Sequence, residues 1–416
     1  MGKYFSDVVE QAIADIYYCY DNTRAKAAEA ALALAVEQGD GDACYFLSRC
    51  FSGKNYHWEY HPFEENDRRA YELLCKGVRL GSAASVLGAL RRNMLTPALR
   101  EEMPFSSLED AWREIYRKAA HGCPFCQNMV ANAYYYLDII EIEERGESEF
   151  PDRSAWEDWK AEQVQKSAQW YAEAFEGGMG IAGRGLRAYY QEGRGTRIPP
   201  DQRNFLLTLQ QGAELGYPDW MFHWAFELYF HLGRKQEGLD YARRAAEQGH
   251  LKGWMILGHA YRYGNVAEQS FSKALACYEK SAAFGNDSYA SSQLGELYFL
   301  GLGVKQDYAT AVQYLEQSYA LDSDNTNLGM LGVCCLLGWG CKQDSVRGRT
   351  LLTQMNCRDS QYKSYGLGRM YAEGIGVPED IEKGVWYLQA AGDYEPAKEA
   401  LKQYKKSIFG VWRRRR

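Results

Sequence analysis

Four times along this chain a helix-capping residue is followed fifteen positions later by a glycine: Asn66 before Gly81, Ser107 before Gly122, Asp201 before Gly216 and Ser270 before Gly285. The capping side chain accepts a hydrogen bond from an orphan amide of a helix's first turn, and glycine permits the left-handed exit from its last. Each pair therefore frames a helix of about fourteen residues, roughly 21 Å long. Asp307 and Asp344 extend the series, with Asp322 and Asp359 at the exit position, where aspartate adopts the left-handed conformation less readily. Small-residue pairs recur ahead of these exits, in RKAAHG at 117–122, RRAAEQG at 243–249 and KSAAFG at 280–285.

A second motif precedes the cap in the C-terminal half: LGELYFLGLGVKQD from Leu294, LGVCCLLGWGCKQD from Leu331 and LGRMYAEGIGVPED from Leu367, with LGHAYRYG from Leu257 as a shorter version. Gly258, Gly295, Gly332 and Gly368 recur every 36 to 37 residues and fall inside predicted helices. Glycine there costs about 1 kcal/mol relative to alanine, so something must offset it. Close helix–helix approach does so, with Tyr261, Tyr298 and Tyr371 packing one turn on and the Gly-x-Gly turning the chain tightly. The unit is an αα hairpin, which cannot bury its apolar stripe without neighbours.

The run Leu367-Gly368, Tyr371, Gly374, Gly376-Val377, Asp380, Lys383-Gly384, Trp386-Tyr387 and Ala390-Ala391 resembles the Sel-one-like repeat (SLR), a relative of tetratricopeptide arrays. The resemblance is strong over 252–392, irregular over 40–249, and weak before residue 40 and beyond Glu395. It implies an all-α chain, a superhelical α-solenoid of about ten antiparallel helix pairs whose concave surface holds a protein or peptide. The expected organisation is N-terminal capping helices (1–39), irregular SLR-like repeats (40–249) with insertions at 53–66 and 138–158, regular repeats (250–392), and a C-terminal cap with a basic tail (393–416). A shortened loop at His231–Gln236 and a missing second glycine near Asn265 depart from the pattern.

Composition fits an array of this kind. A chain of 416 residues is too long for one ordinary core, and 46% hydrophobic with 25% charged residues excludes wholesale disorder. The net charge of −7 supplies no global basic field, so no specific nucleic acid is inferred. The longest uncharged stretch, 325–341, holds four glycines and is shorter than a membrane-spanning helix, so no transmembrane segment is expected. The start, with Asp7 and Glu10, differs from a secretory leader, and eleven scattered cysteines make a poor disulfide framework. A reducing, cytoplasmic setting follows as the expectation.

Motifs that carry chemistry elsewhere have plainer readings here. Gly178, Gly180 and Gly183 match G-x-G-x-x-G, but they follow a helical segment and not a strand, so a repeat junction is expected and no cofactor is inferred. Cys123 and Cys126, beside His121, have the spacing of a redox pair or half a zinc site. The repeat register instead places Cys126 four residues after Gly122, where Ala43 follows Gly39 and Gly253 follows Gly249, and a small buried residue is expected. His57 and His61 flank Glu59 in an aromatic, proline-ended run that reads as a loop on the edge of the stack, and no metal is inferred. G-x-S-x-G, P-loop and H-E-x-x-H motifs are absent, as is S-x-x-K with its companion motifs. Met1-Gly2 through Ser6 fits the N-myristoylation pattern, a short match that arises often by chance.

Two charged segments stand apart. Residues 138–158 hold nine acidic residues against Arg145 and Arg153, and read either as a solvated tether or as a partner-contacting loop. The tail from Lys398 carries eight basic residues against Glu399, as a frayed or helix-capped end, or as a contact for an anionic surface. Opposite signs allow the two segments to join copies of the chain into a homo-oligomer. The 32 tyrosines and 11 tryptophans suit interface anchors. Residues off the Leu-Gly-x-x-Tyr stripe, namely Arg262, Glu296, Phe299, Arg369 and Glu373, with Trp220, Trp224 and Tyr229 in the irregular middle, are the expected partner-binding set. The expected function is a non-enzymatic interaction scaffold or adaptor; a toxin-inhibiting immunity protein and a hydrolase with a groove-borne site are the alternatives.

Overall fold

The computed structural model describes residues 4–18, 21–53, 61–193, 197–283, 287–325, 327–354, 360–408 and 410–415. Two compact units divide it, Met1–Trp224 and Ala225–Arg416. The first unit begins with α1 (Asp7–Ile13), α2 (Asn22–Glu37), α3 (Gly41–Cys50), α4 (Asp67–Arg79), α5 (Ala83–Arg91) and α6 (Pro97–Glu101). It continues through α7 (Leu108–Ala120), α8 (Pro124–Tyr135), α9 (Ile139–Ile142), α10 (Arg153–Glu176), α11 (Ala182–Glu192), α12 (Gln202–Glu214) and all but the last two residues of α13 (Pro218–Phe226). The second unit holds α14 (Lys235–Glu247), α15 (Lys252–Tyr263), α16 (Phe271–Ala282), α17 (Ser288–Leu300), α18 (Tyr308–Leu321) and α19 (Leu328–Leu337). It ends with α20 (Ser345–Thr353), α21 (Ser360–Glu373), α22 (Ile381–Ala390), α23 (Glu395–Leu401) and two short strands. Both units are all-α stacks of helix pairs, as the periodicity implies.

The framing residues act as their chemistry dictates. Asn66, Ser107, Asp201, Ser270, Asp307 and Asp344 each cap a helix, accepting from a first-turn N–H. Gly81, Gly122 and Gly216 leave their helices at φ of +78°, +89° and +90°. Gly285 and Asp359 lie outside the described residues. Asp322, without glycine's freedom, leaves α18 in an extended conformation at φ −162°.

In the second unit α15 packs on α16, α17 on α18, α19 on α20 and α21 on α22. The helical glycines are the points of closest approach. A Cβ on Gly295 would lie 2.6 Å from Leu315 Cγ, one on Gly332 2.7 Å from Leu352 Cγ, and one on Gly368 2.7 Å from Leu388 Cγ, while Gly258 abuts the Tyr278 ring. Every partner is twenty residues further along the chain. The neighbouring tyrosines seal the same seam: Tyr298 stacks on Tyr314 at 5.8 Å and Tyr371 on Tyr387 at 5.9 Å. The cap amides of Asp307 and Asp380 donate to the carbonyls of Tyr298 and Tyr371 at 3.0 and 2.8 Å, closing each loop. Where the second glycine is missing, Gly264 alone supplies the left-handed turn, at φ +65°. The shortened loop after a π-helical turn (Glu227–His231) uses Gly233 at φ +70°.

The glycine triad at 178–183 spans the junction between α10 and α11, with Gly183 already in the first turn of α11. The acidic stretch 138–158 is folded: α9, a 3-10 turn at Glu147–Glu149 and the first turns of α10. Buried Ile139, Ile142 and Trp156 anchor it, and Trp156 stacks on Trp159 at 5.2 Å. Arg91 pairs with Asp138 at 3.2 Å, Arg145 with Glu149 at 2.9 Å, Arg197 with Asp158 at 2.5 Å, and Arg100 with Glu141. The basic tail is likewise ordered. After α23, β1 (Tyr404–Lys406) pairs antiparallel with β2 (Trp412–Arg414), Tyr404 opposite Arg414. Tyr404 is buried, Trp412 N–H donates to Glu382 Oε1 at 2.7 Å, and Arg414 lies 3.8 Å from Glu379. Both charged segments thus find opposite charges within their own chain.

Candidate functional site

The first helices of successive pairs in the second unit are joined by a polar ladder. Arg262, near the end of α15, donates from Nη1 to Gln293 Oε1 at 2.6 Å and pairs with Glu296 Oε1 at 2.5 Å, both on α17. Glu296 Oε2 accepts from Asn327 Nδ2 at 3.2 Å, and Asn327 N–H donates to Ser292 Oγ at 3.2 Å, carrying the ladder to the start of α19. Burial is the largest single influence on Arg262 and opposes its charge, but the charge and hydrogen bond of Glu296 together with neighbouring Tyr263 more than offset it, holding the guanidinium above its ordinary pKa. On α21, Arg369 donates to Tyr365 OH at 2.7 Å and to Glu373 Oε2 at 3.0 Å. This pair remains partly open, with side chains 27% and 23% exposed.

The aromatic members of the expected set are placed differently. Trp220, Trp224, Tyr229 and Phe299 are only 2, 4, 2 and 1% exposed, so they join helices and present little surface. Trp220 donates from Nε1 to Gly180 O at 3.0 Å and covers Gly183 and Gly212, where no Cβ would fit. Phe299 packs against Tyr308, Trp339 and Tyr362. Tyr229 lies 3.3 Å through its hydroxyl from His259 Nδ1. His259 is ringed by Tyr229, Phe230 and Tyr263, and burial, followed by the charges of Arg262 and Lys235, pulls its pKa down to about 4. The imidazole is neutral at pH 7.

The cysteine pair serves a helix start. Cys123 is the N-cap of α8, its Sγ accepting from Cys126 N–H at 3.5 Å. Both thiols are buried; burial pushes the Cys126 thiol up, whereas the hydrogen bond with Cys126 draws Cys123 down. His61 stacks on Phe63, and its ring Nδ1 accepts from the Phe63 N–H at 3.2 Å. His57, Glu59 and Met1–Lys3 lie outside the described residues, whereas Ser6 caps α1. Among the described residues, no cluster of three metal-ligating side chains occurs, and no helix is long and apolar enough to cross a membrane.

A cavity of about 450 Å³ lies within the first unit, lined by inner faces of α3, α5, α8 and α11. Arg49, Arg91, Arg92 and Arg184 border it, against a single carboxylate, Asp138. No single stretch of sequence signals it, because these arginines come from different helix pairs. One trace was visible: Arg49 donates to Tyr45 OH, four residues earlier, just as Arg369 donates to Tyr365 OH.

The Sel1 repeat family matches residues 28–82, 233–250, 255–286, 288–323, 327–357 and 364–393. No curated protein matches the sequence. Among solved structures the chain is similar to c5321, a protective antigen of uropathogenic Escherichia coli strains displaying an SLR fold, at 20% identity over 91% of this chain and 82% of that one, with a TM-score of 0.47. A Sel1 repeat protein from Oxalobacter formigenes is 24% identical over 56% and 97% of the two chains, with a TM-score of 0.40. The immunity protein Pa5087 from Pseudomonas aeruginosa is 19% identical over 56% and 75%, with a TM-score of 0.29. With the capped, glycine-seamed helix pairs and the six matched segments together, the chain is a Sel1-like repeat protein.

Proposed function

We propose that this protein is a non-enzymatic scaffold or adaptor of the cytoplasm that holds a protein or peptide along the first helices of its second unit. One observation carries the reading: α15, α17 and α19 are locked side by side by the Arg262–Glu296–Asn327 ladder, so their faces are positioned before any partner arrives. Preorganisation of this kind cuts the ordering cost of association. Sel1 repeats commonly mediate protein–protein contacts. Tyr263, 49% exposed, and the partly open Arg369–Glu373 pair are of the residue types that anchor interfaces, while the buried aromatics of the expected set brace the frame.

A photoreactive amino acid at position 263 tests this, with one at the exposed Trp386 on the second-helix side as the comparison. The expected result is a discrete cross-linked protein from position 263 in cell extract, absent from position 386 and weakened about tenfold by Arg369→Glu, equivalent to about 1.4 kcal/mol. Equal labelling from the two positions, or none from position 263, overturns the proposal.

A further inference from the structure

We propose that the cavity of the first unit is a binding site for a small organic polyanion, of the dicarboxylate or phosphate-ester class. The protein as a whole is acidic, at net −7, yet four guanidinium groups converge on this one space. Asp138, on the cavity wall, lies 3.2 Å from Arg91, and Asp219, which is not part of the wall, lies 3.1 Å from Arg184. Guanidinium forks suit planar, bidentate recognition of carboxylate and phosphate. Their placement is fixed in advance. The Arg91 guanidinium lies over the Tyr136 ring, and Arg49 donates to Tyr17 OH at 2.6 Å and Tyr45 OH at 3.3 Å. Beside the cavity, Arg187 lies 2.9 Å from His223 Nε2; burial first, and then the charge of Arg184, push its pKa down.

The volume selects the size of the occupant. Sites for small ligands run from about 300 to 1,000 Å³, and 450 Å³ falls near the lower end. Gly88 on α5 and Gly185 on α11 let the Tyr45 and Tyr171 rings of the cavity wall pack flush against these helices, at 2.6 Å and 2.3 Å from where a Cβ would stand. Asn132 Oδ1 accepts from Tyr171 OH at 2.8 Å, orienting the asparagine amide at the cavity wall. A ligand with two oxyanions would be met by arginines from at least two helix pairs at once, which a single acidic group would not use.

Thermal unfolding of the full chain tests the site, with pyrophosphate and citrate as probes and sodium chloride at matched ionic strength as the reference. At about ten times the Kd, either polyanion raises the midpoint of the first unit by about 3 °C, and the larger of the two shifts tells phosphate from carboxylate recognition. Arg184→Gln and Arg92→Gln, each checked by circular dichroism for retained helix, reduce the shift by half or more. Asp138→Asn has the opposite sign: with a like charge removed, the midpoint of the anion titration falls at least about threefold in concentration, although the variant loses an ion pair. A purely structural role for these residues gives no such gain. The proposal is overturned if neither polyanion differs from chloride, if the shift survives both arginine variants, or if Asp138→Asn weakens binding.

Discussion

Gly332→Ala is the sharpest probe of the seam between paired helices. In an open helix the change would stabilise by about 1 kcal/mol, because alanine is the better helix former. Here the new Cβ would stand 2.7 Å from Leu352 Cγ, 2.9 Å from Leu352 Cδ2 and 3.3 Å from the Gly348 carbonyl. Overpacking of this kind costs about 1–3 kcal/mol, so the net effect, after the propensity gain, is destabilisation of up to about 2 kcal/mol. Leu352→Ala alone leaves a cavity in the core and costs about 2–5 kcal/mol. In the double variant the added methyl occupies part of the space the leucine left. Its loss should therefore fall short of the sum of the single losses by at least about 1 kcal/mol. Urea unfolding followed by circular dichroism, comparing midpoints for the four proteins, reads this coupling. Stabilisation by Gly332→Ala, or strict additivity in the double variant, would refute the close-approach argument.

Other outcomes follow from single side chains. Asp344→Ala removes the acceptor for the Arg347 N–H at 2.8 Å and should cost about 1 kcal/mol in the denaturation midpoint, whereas Asp344→Ser should cost much less. His259, held at about 4 in the folded chain against 6.5 unfolded, stays neutral while the unfolded chain takes up a proton. Its contribution is therefore complete above pH 6.5, is lost as pH falls from 6.5 towards 4, and is level below; the loss is about 2 kcal/mol once partial exposure is allowed for. A stability–pH curve for His259→Gln that keeps this slope would contradict the assignment. Cys123→Ser should preserve stability to within about 0.5 kcal/mol, since serine is a good N-cap, while Cys123→Ala should lower it by about 1 kcal/mol, both read by thermal unfolding.

The helix frames were legible in the sequence because caps and exits are local: Asn66 to Gly81 needs only its own helix. The glycine seam was legible because its cost is local even though its cause is not, and a repeated glycine at 36 to 37 residues signals an approach that no single segment displays. The fates of Trp220, Trp224, Tyr229 and Phe299 were not legible. An aromatic off the main stripe has the same signature whether it faces solvent or a third helix, and Phe299 meets Tyr308, Trp339 and Tyr362 from three other segments. The arginine-lined cavity was hidden for a related reason, since Arg49 and Arg184 are brought together only by the stacking of pairs. The tail read as a capping helix with a loose tip because its charges mask a hairpin whose Tyr404 is buried while the lysines after it face water.

The constant separation of twenty residues between each seam glycine and the bulky side chain above it has a consequence for how such a chain changes length. Every knob and its socket are encoded in one stretch of sequence, so duplicating or excising a whole stretch leaves each remaining lock intact. Reach is then set by copy number, and a gene can lengthen or trim its product in steps of one hairpin without redesigning any join.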